Sequence, residues 1–218
     1  MTTRKNVKID SIFRFFESVV RRILMLTNTF QARLRLGAAG KNIKIYYPVD
    51  FLYYHNIYIG NNVMILKNTR FVCSRAKIII KDNVQIGKNV LMVAGNHNVT
   101  EIGKYMLNTY VKFPRHDKGI VINEDVFIIF NVVILDGVTI GRGAIVGTGS
   151  VVRKSLPPYS IAIGNPAKVI GFRFSPKQIV EHELRLYKED ERIPIEELEK
   201  NFKKYYLNKF RDIISFIS

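Results

Sequence analysis

The chain has 218 residues, 47% of them apolar and 24% charged, which excludes a disordered protein and leaves ample length for a buried core. Its single cysteine, Cys73, excludes an intramolecular disulfide and fits a reducing compartment. Thirty-four Lys and Arg against eighteen Asp and Glu give a formal charge of +16, which favours anionic partners. The basic residues are scattered, with no long run and no nucleic-acid motif, so nucleic acid is not the expected partner.

The opening residues "MTTRKNVKID" lead to no uninterrupted apolar core or small-residue cleavage site, so no secretory signal is expected and the working placement is cytoplasmic. The next segment, 11–26, carries Arg14, Glu17, Arg21 and Arg22 and is too charged for a simple membrane span. Its residues Ile12, Phe15, Phe16, Val19, Ile23 and Leu26 recur at helical spacing. An amphipathic helix is expected, packed on the domain or on a partner subunit. Peripheral attachment to the inner face of a membrane is the alternative.

From residue 122 the chain divides into sixes without a gap: "INEDVF", "IIFNVV", "ILDGVT", "IGRGAI", "VGTGSV" and "VRKSLP". Ile122, Ile128, Ile134, Ile140, Val146 and Val152 open the units, and Val126, Val132, Val138, Ala144 and Ser150 take the fifth places. The same phase runs through "IKDNVQ", "IGKNVL" and "MVAGNH" from residue 80, and more loosely from residue 59. A six-residue period fits neither an α-helix nor hairpin sheets. It fits short strands joined by equal corners, with Gly, Asn and Asp at the second to fourth places, where corners need permissive backbone. The opening residue of each unit then points inward and stacks on its counterpart in the next coil. The expected fold is a parallel β-helix.

Two departures interrupt it. Some twenty residues after "MVAGNH" carry no repeat, and a solenoid expels such an insertion as a loop. Beyond residue 171 the spacing turns helical, with Ser175 as N-cap before Pro176 and a break at Pro194. Those helices are expected to cover the last open edge of the solenoid.

The hexapeptide units together with "NHNVTEIGKY", "KGIVINEDVF" and "LDGVTIGRGAIVGTGSVVRKSLPPYSIAIGNPAKVIGFRF" resemble the hexapeptide-repeat acetyltransferases, in the branch of xenobiotic and polysaccharide O-acetyltransferases. The resemblance covers roughly residues 37 to 185. It implies that the β-helix is left-handed, so with the helical spacing at either end the expected fold is an all-β core, a left-handed parallel β-helix, with an N-terminal helix and a C-terminal helical extension. It also implies a homotrimer with acetyl-CoA bound between neighbouring helices. The organisation expected is an amphipathic segment 1–36, a β-helix domain 37–171 with a loop at 98–119, and a helical extension 172–218.

Acetyl transfer to a hydroxyl needs a base for the proton and a donor for the oxyanion. Histidine suits the first task, and His97 stands where the repeat ends and the loop begins. The resemblance makes the histidine of the "NH" step the general base, and His97 matches it. A corner N–H would serve as oxyanion donor and leave no mark in the sequence. His116, at the far end of the loop, is read as structural or substrate-binding. His55 lies in the weak early repeat, and His182 is expected at the surface of a tail helix.

Coenzyme A needs an apolar groove and a basic mouth. By place in the repeat, Phe130 and Thr148 match cofactor-lining positions of the family, and Arg153, Lys154 and Lys168 match its basic positions toward the nucleotide end. Related enzymes carry Trp where Phe127 stands and Gly where Ile129 stands. Phe keeps an aromatic wall, and Ile129 adds bulk that bears on the acyl end.

The leading reading is an acetyl-CoA-dependent O-acetyltransferase acting on a sugar hydroxyl of a cell-surface polysaccharide or its precursor, by direct transfer in a ternary complex. Cys73 is read as core or surface rather than nucleophile. Alternatives are N-acetylation of a nucleotide-linked amino sugar, acetylation of a xenobiotic such as an antibiotic, and a non-catalytic scaffold. A metal-dependent hydratase on the same fold would need three converging nitrogen ligands, and the paired H-x4-H spacing is absent, so no metal is expected.

Overall fold

The computed structural model describes residues 3–109 and 117–217, with side chains described for 13–109 and 117–206. Fifteen short strands wind the chain into five stacked coils. They are β1 (Ala38–Ala39), β2 (Lys44–Ile45), β3 (Val49–Leu52), β4 (Ile57–Ile59), β5 (Met64–Ile65), β6 (Thr69–Val72), β7 (Ile78–Ile80), β8 (Gln85–Ile86), β9 (Leu91–Val93), β10 (Ile120–Ile122), β11 (Phe127–Ile128), β12 (Val133–Leu135), β13 (Thr139–Ile140), β14 (Ile145–Val146) and β15 (Val151–Val152). Every third strand joins the same sheet, in parallel, so the coils form a three-sided prism. The first side runs β1-β4-β7-β10-β13, the second β2-β5-β8-β11-β14, and the third β3-β6-β9-β12-β15.

The six-residue period produces this directly. Ile122, Ile128, Ile134, Ile140, Val146 and Val152 are all fully buried, as are Val126, Val132, Val138, Ala144 and Ser150. Each inward residue stacks on its equivalent one coil away, as Ile80 does on Ile122 and Ile86 on Ile128, so the core is a column of aliphatic layers. The corners adopt left-handed backbone, for which Asn, Asp and Gly are the residues of choice. Asn68, Asn89 and Asn131 all have φ near +60° and form a ladder, Asn68 donating to Asn89 at 3.0 Å and Asn89 to Asn131 at 2.9 Å. A second ladder joins Asn42, Asn62 and Asn83 on another edge. The first coil, β1 to β3, precedes the residue at which the periodicity becomes legible. Its second corner has the same length as that of the next coil, but it carries Tyr46, Tyr47 and Pro48, and these residues hide the period.

Regular coiling ends at Val152. After an isolated bridge from Leu156 to Ile140, strand β16 (Ser160–Ile163) pairs with β14 in parallel. Strand β17 (Lys168–Phe172) then turns back antiparallel on β16 and closes the second side. Helix α2 (Pro176–Leu186) follows, with the expected start: Ser175 caps it and forms a reciprocal capping box with Gln178. Helix α3 (Ile195–Ile217) begins directly after Pro194. Phe172 on β17 meets Phe202, Tyr205 and Tyr206 of α3, which covers the hairpin.

The end of the prism is sealed by a buried polar knot. Glu183 of α2, fully buried, takes the Tyr159 hydroxyl at 3.0 Å, the Ile193 N–H at 2.6 Å and the Arg142 guanidinium at 3.2 Å. Burial by itself would lower the Arg142 pKa, but Glu183 and Glu124 outweigh it and hold the guanidinium above its ordinary value. Burial, joined by the Glu183 charge, pushes the Tyr159 phenol far up. His182 corrects an expectation here. It is half-buried, not on the surface, with its ring edge-on to Tyr159 and tilted against Phe174. A helix laid across the open end of a solenoid buries neighbours of the stripe it docks with.

Helix α1 (Thr3–Arg35) is twice as long as its periodic segment suggests and, among the described side chains, meets the prism near its C-terminal end. Ala32 is buried there, and Thr29 Oγ1 accepts the Ile45 N–H at 3.0 Å. Among the described residues no helix is long and apolar enough to cross a membrane.

Candidate active site

The loop that interrupts the repeat leaves the third side at Ala94 and rejoins the first side at Ile120. Its two roots are tied by one side chain. Asp136, in the corner after β12, accepts the Gly95 N–H at 2.9 Å and the Gly119 N–H at 2.7 Å on Oδ1, and the Lys118 N–H at 3.0 Å on Oδ2. Gly95 has φ +111°, and a Cβ there would collide with Asp117 Oδ1, so only glycine passes this root. Just beyond, Asn98 is fully buried. Its Oδ1 accepts the Thr100 N–H at 3.0 Å and the Thr100 hydroxyl at 2.8 Å, and its Nδ2 donates to Glu101 at 2.9 Å.

His97 stands between these two anchors. Its backbone is held on either side, while its side chain is exposed and has no hydrogen-bond partner among the described residues. Asp117 Oδ1, at the other root, is buried without a partner among the described residues. His116 lies outside the described residues. His55 is exposed in a short turn before β4, edge-on to Tyr53, far in sequence and in coil from this corner.

The five remaining candidates divide between two edges of the prism. Phe130 and Thr148 occupy the same place in successive coils, on the edge between the second and third sides, and both are exposed. Gly149 donates its N–H to the Phe130 carbonyl at 3.0 Å, which fixes that pair. The β16–β17 turn reaches the same edge, because Val151 donates to the Gly164 carbonyl and Ala167 to the Val151 carbonyl. Lys168 opens β17 there, exposed. Arg153 and Lys154 instead follow β15 on the edge between the third and first sides, the edge that releases the His97 loop. In register, Arg153 lies two coils beyond Val93, roughly 10 Å along the axis at the usual strand spacing. The structure therefore brings His97, Arg153 and Lys154 to one edge and Phe130, Thr148 and Lys168 to the next.

Phe127 points outward from β11 and is exposed. Ile129 is half-buried, and its carbonyl together with the Phe130 ring packs on Gly87 so closely that a Cβ at Gly87 would collide with both. Cys73 is fully buried with Sγ 3.3 Å from the Leu52 carbonyl, and burial pushes its thiol up to about 11. That thiol is inert at neutral pH and core in role. Among the described residues no group of three His, Cys, Asp or Glu is placed to hold a metal ion.

Asp136 is the residue that reading in sixes passes over. It occupies a corner place where Asp is ordinary, and only the expelled loop gives its carboxylate three N–H groups to hold.

An open groove of about 510 Å³ lies elsewhere, on the first side under Tyr187. Arg142 bridges Glu124 at 3.3 Å and stacks on Tyr187, and Lys81 meets Glu124 at 3.1 Å. Burial would raise Glu124, but its backbone hydrogen bond, Lys81 and Arg142 hold it below the ordinary carboxylate value. Its charges are mutually satisfied, and none of the candidate residues lines it.

Three-sided coiling in sixes, interrupted by one clamped loop bearing an exposed histidine, defines a hexapeptide-repeat protein. Residues 119–154 match the family described as bacterial transferase hexapeptide (six repeats). The galactoside O-acetyltransferase of Escherichia coli K12 is 35% identical over 62% of this chain and 63% of its own length. A Vibrio cholerae hexapeptide-repeat acetyltransferase, solved with acetyl coenzyme A, superposes with a TM-score of 0.61 at 26% identity, over 78% of this chain and 90% of that one. A galactoside acetyltransferase solved with coenzyme A gives 0.58 at 30% identity, over 75% of each chain. The chain belongs to the hexapeptide-repeat acetyltransferase family. It spans 56% to 65% of the length of the first curated relatives it matches.

Proposed function

We propose that the protein is an acetyl-CoA-dependent O-acetyltransferase whose acceptor is a sugar hydroxyl of a cell-surface polysaccharide or its precursor. The observation that carries this reading is the exposed His97 ring on a backbone pinned by Asp136 and Asn98. A base that must meet a mobile hydroxyl needs a free ring on a fixed root. His97 takes the proton from the acceptor hydroxyl as its oxygen attacks the thioester carbonyl. The tetrahedral intermediate collapses, the C–S bond breaks, and the imidazolium returns the proton to the departing CoA thiolate. No acyl-enzyme forms, in keeping with the buried, protonated Cys73.

The cofactor runs along the Phe130–Thr148 edge, with Arg153, Lys154 and Lys168 toward its phosphates. Because His97 and Phe130 stand on different edges of one prism, a neighbouring copy supplies the second wall. The assembly proposed is a homotrimer of left-handed coils, in which a heterologous contact closes into a ring. The similarity to galactoside O-acetyltransferases supports a sugar hydroxyl over an amine or a xenobiotic. The charge of +16 suits an anionic glycan or a nucleotide-linked sugar. The protein is proposed to work in the cytoplasm.

The test is release of CoA thiol from acetyl-CoA with panels of sugars, amino sugars and antibiotics. His97→Ala is expected to lower kcat by about 10³-fold, within the range of general-base catalysis, while CoA binding persists. Wild-type turnover by H97A sinks the assigned base, and acetylation of amines alone would replace the acceptor class.

A further inference from the structure

Helix α1 docks on the prism with the wrong face for an ordinary amphipathic helix. The side chains turned to the domain are Met25, Asn28, Thr29 and Ala32, a stripe with a single large apolar residue, and Arg35 stacks on Tyr54 at its end. At 100° per residue the exposed apolar positions, from Phe15 and Leu26 on one flank to Phe13 and Leu24 on the other, cover an arc of about 180° centred opposite that stripe. Along the middle of the arc Phe16 is 61% exposed, Ile23 53% and Phe30 64%. So large an apolar surface, held away from its own domain, marks an interaction face.

We infer that this face lies in the surface of an anionic phospholipid bilayer, with the β-helix carried on the opposite side of the helix. Three observations select lipid. First, a helical partner buries the narrow seam of a heptad, whereas a half-circumference arc matches a planar interface. Second, residues 3–35 carry eight Lys and Arg against two Asp and Glu. Exposed Arg22 and Arg33 border the arc beside Phe15 and Leu26, at headgroup depth for a helix lying in the plane. Third, that same excess charge repels a second copy of α1 laid alongside but is neutralised by anionic headgroups. The helix, about 50 Å long, lies on the membrane and does not span it.

The full-length protein is sedimented with vesicles of phosphatidylcholine, alone or with roughly a third phosphatidylglycerol. Binding to the anionic vesicles is expected to be at least about ten-fold tighter and to weaken in roughly 0.5 M salt. Ile23→Ser, Leu26→Ser and Phe30→Ser combined should lower the partition coefficient by at least about ten-fold. Circular dichroism and oligomer mass should stay unchanged, because all three side chains are exposed. Arg22→Gln with Arg33→Gln should remove the preference for anionic lipid and leave folding intact. Failure of the wild type to bind anionic vesicles overturns the inference, as does wild-type binding by the apolar variant. A change of oligomer mass in that variant, with vesicle binding retained, assigns the face to a second copy instead. Vesicle binding by H97A tests the surface independently of acetyl transfer.

Discussion

Asp136 accepts the N–H of Gly95 at 2.9 Å, two residues before the exposed ring of His97. Through the same carboxylate it also holds Lys118 and Gly119, so one side chain closes the neck of the loop. Asp136→Ala leaves three N–H groups without their acceptor. We expect it to cost about 2 kcal/mol of stability and to lower kcat by about ten- to a hundred-fold through misplacement of His97. CoA affinity should fall less than kcat, because the Phe130–Thr148 wall lies on another edge and only Arg153 and Lys154 share the edge of Asp136. Asp136→Asn should fall between. Thermal melts with steady-state kinetics and CoA titration check both variants.

Gly87 tests the proposed cofactor edge from beneath. A methyl group there meets the Ile129 carbonyl and the Phe130 ring. Gly87→Ala should therefore push the Ile129–Phe130 corner outward, at a cost of about 1–3 kcal/mol typical of overpacking. Weaker CoA binding by calorimetry is expected. Unchanged affinity would move the cofactor off that edge.

Cys73 makes two opposite claims testable. Its folded-state value of about 11 lies above the ordinary 9.0, so the folded chain holds its thiol proton more tightly than the unfolded chain does. Stability from this group is complete below pH 9 and is lost as pH rises from about 9 through 11. Denaturant midpoints across that range should fall less steeply in Cys73→Ala. The same variant should keep full acetyl transfer, and loss of turnover with intact folding would reinstate a thiol nucleophile.

Glu183 joins α2 to the last coil through Arg142, Tyr159 and the Ile193 N–H. Removing the carboxylate leaves Arg142 short of a partner in a partly buried site. Glu183→Ala should destabilise by about 3 kcal/mol and release the tail first. Hydrogen exchange should then show α2 opening ahead of the coils. Uniform exchange across tail and coils would mean the knot is not a local clasp.

Much of this molecule is written in the spacing of its residues. A period of six with Ile or Val inward and Asn, Asp or Gly at corners admits few backbones, because each coil must repeat the last for its core to stack. The prism, the expelled loop, the Ser175 cap and the break at Pro194 are legible for that reason. So is His97, since a histidine at the point where a period fails is visible by counting. Other features depend on what lies across space. Asp136 looks like any corner residue until the loop roots bring it three N–H groups. His182 looks like a surface residue until α2 lies across Tyr159. The periodicity of α1 reveals an apolar face but not its direction. Only tertiary docking through Thr29 and Ala32 turns that face outward, because a few specific contacts at one end of a helix orient its whole length.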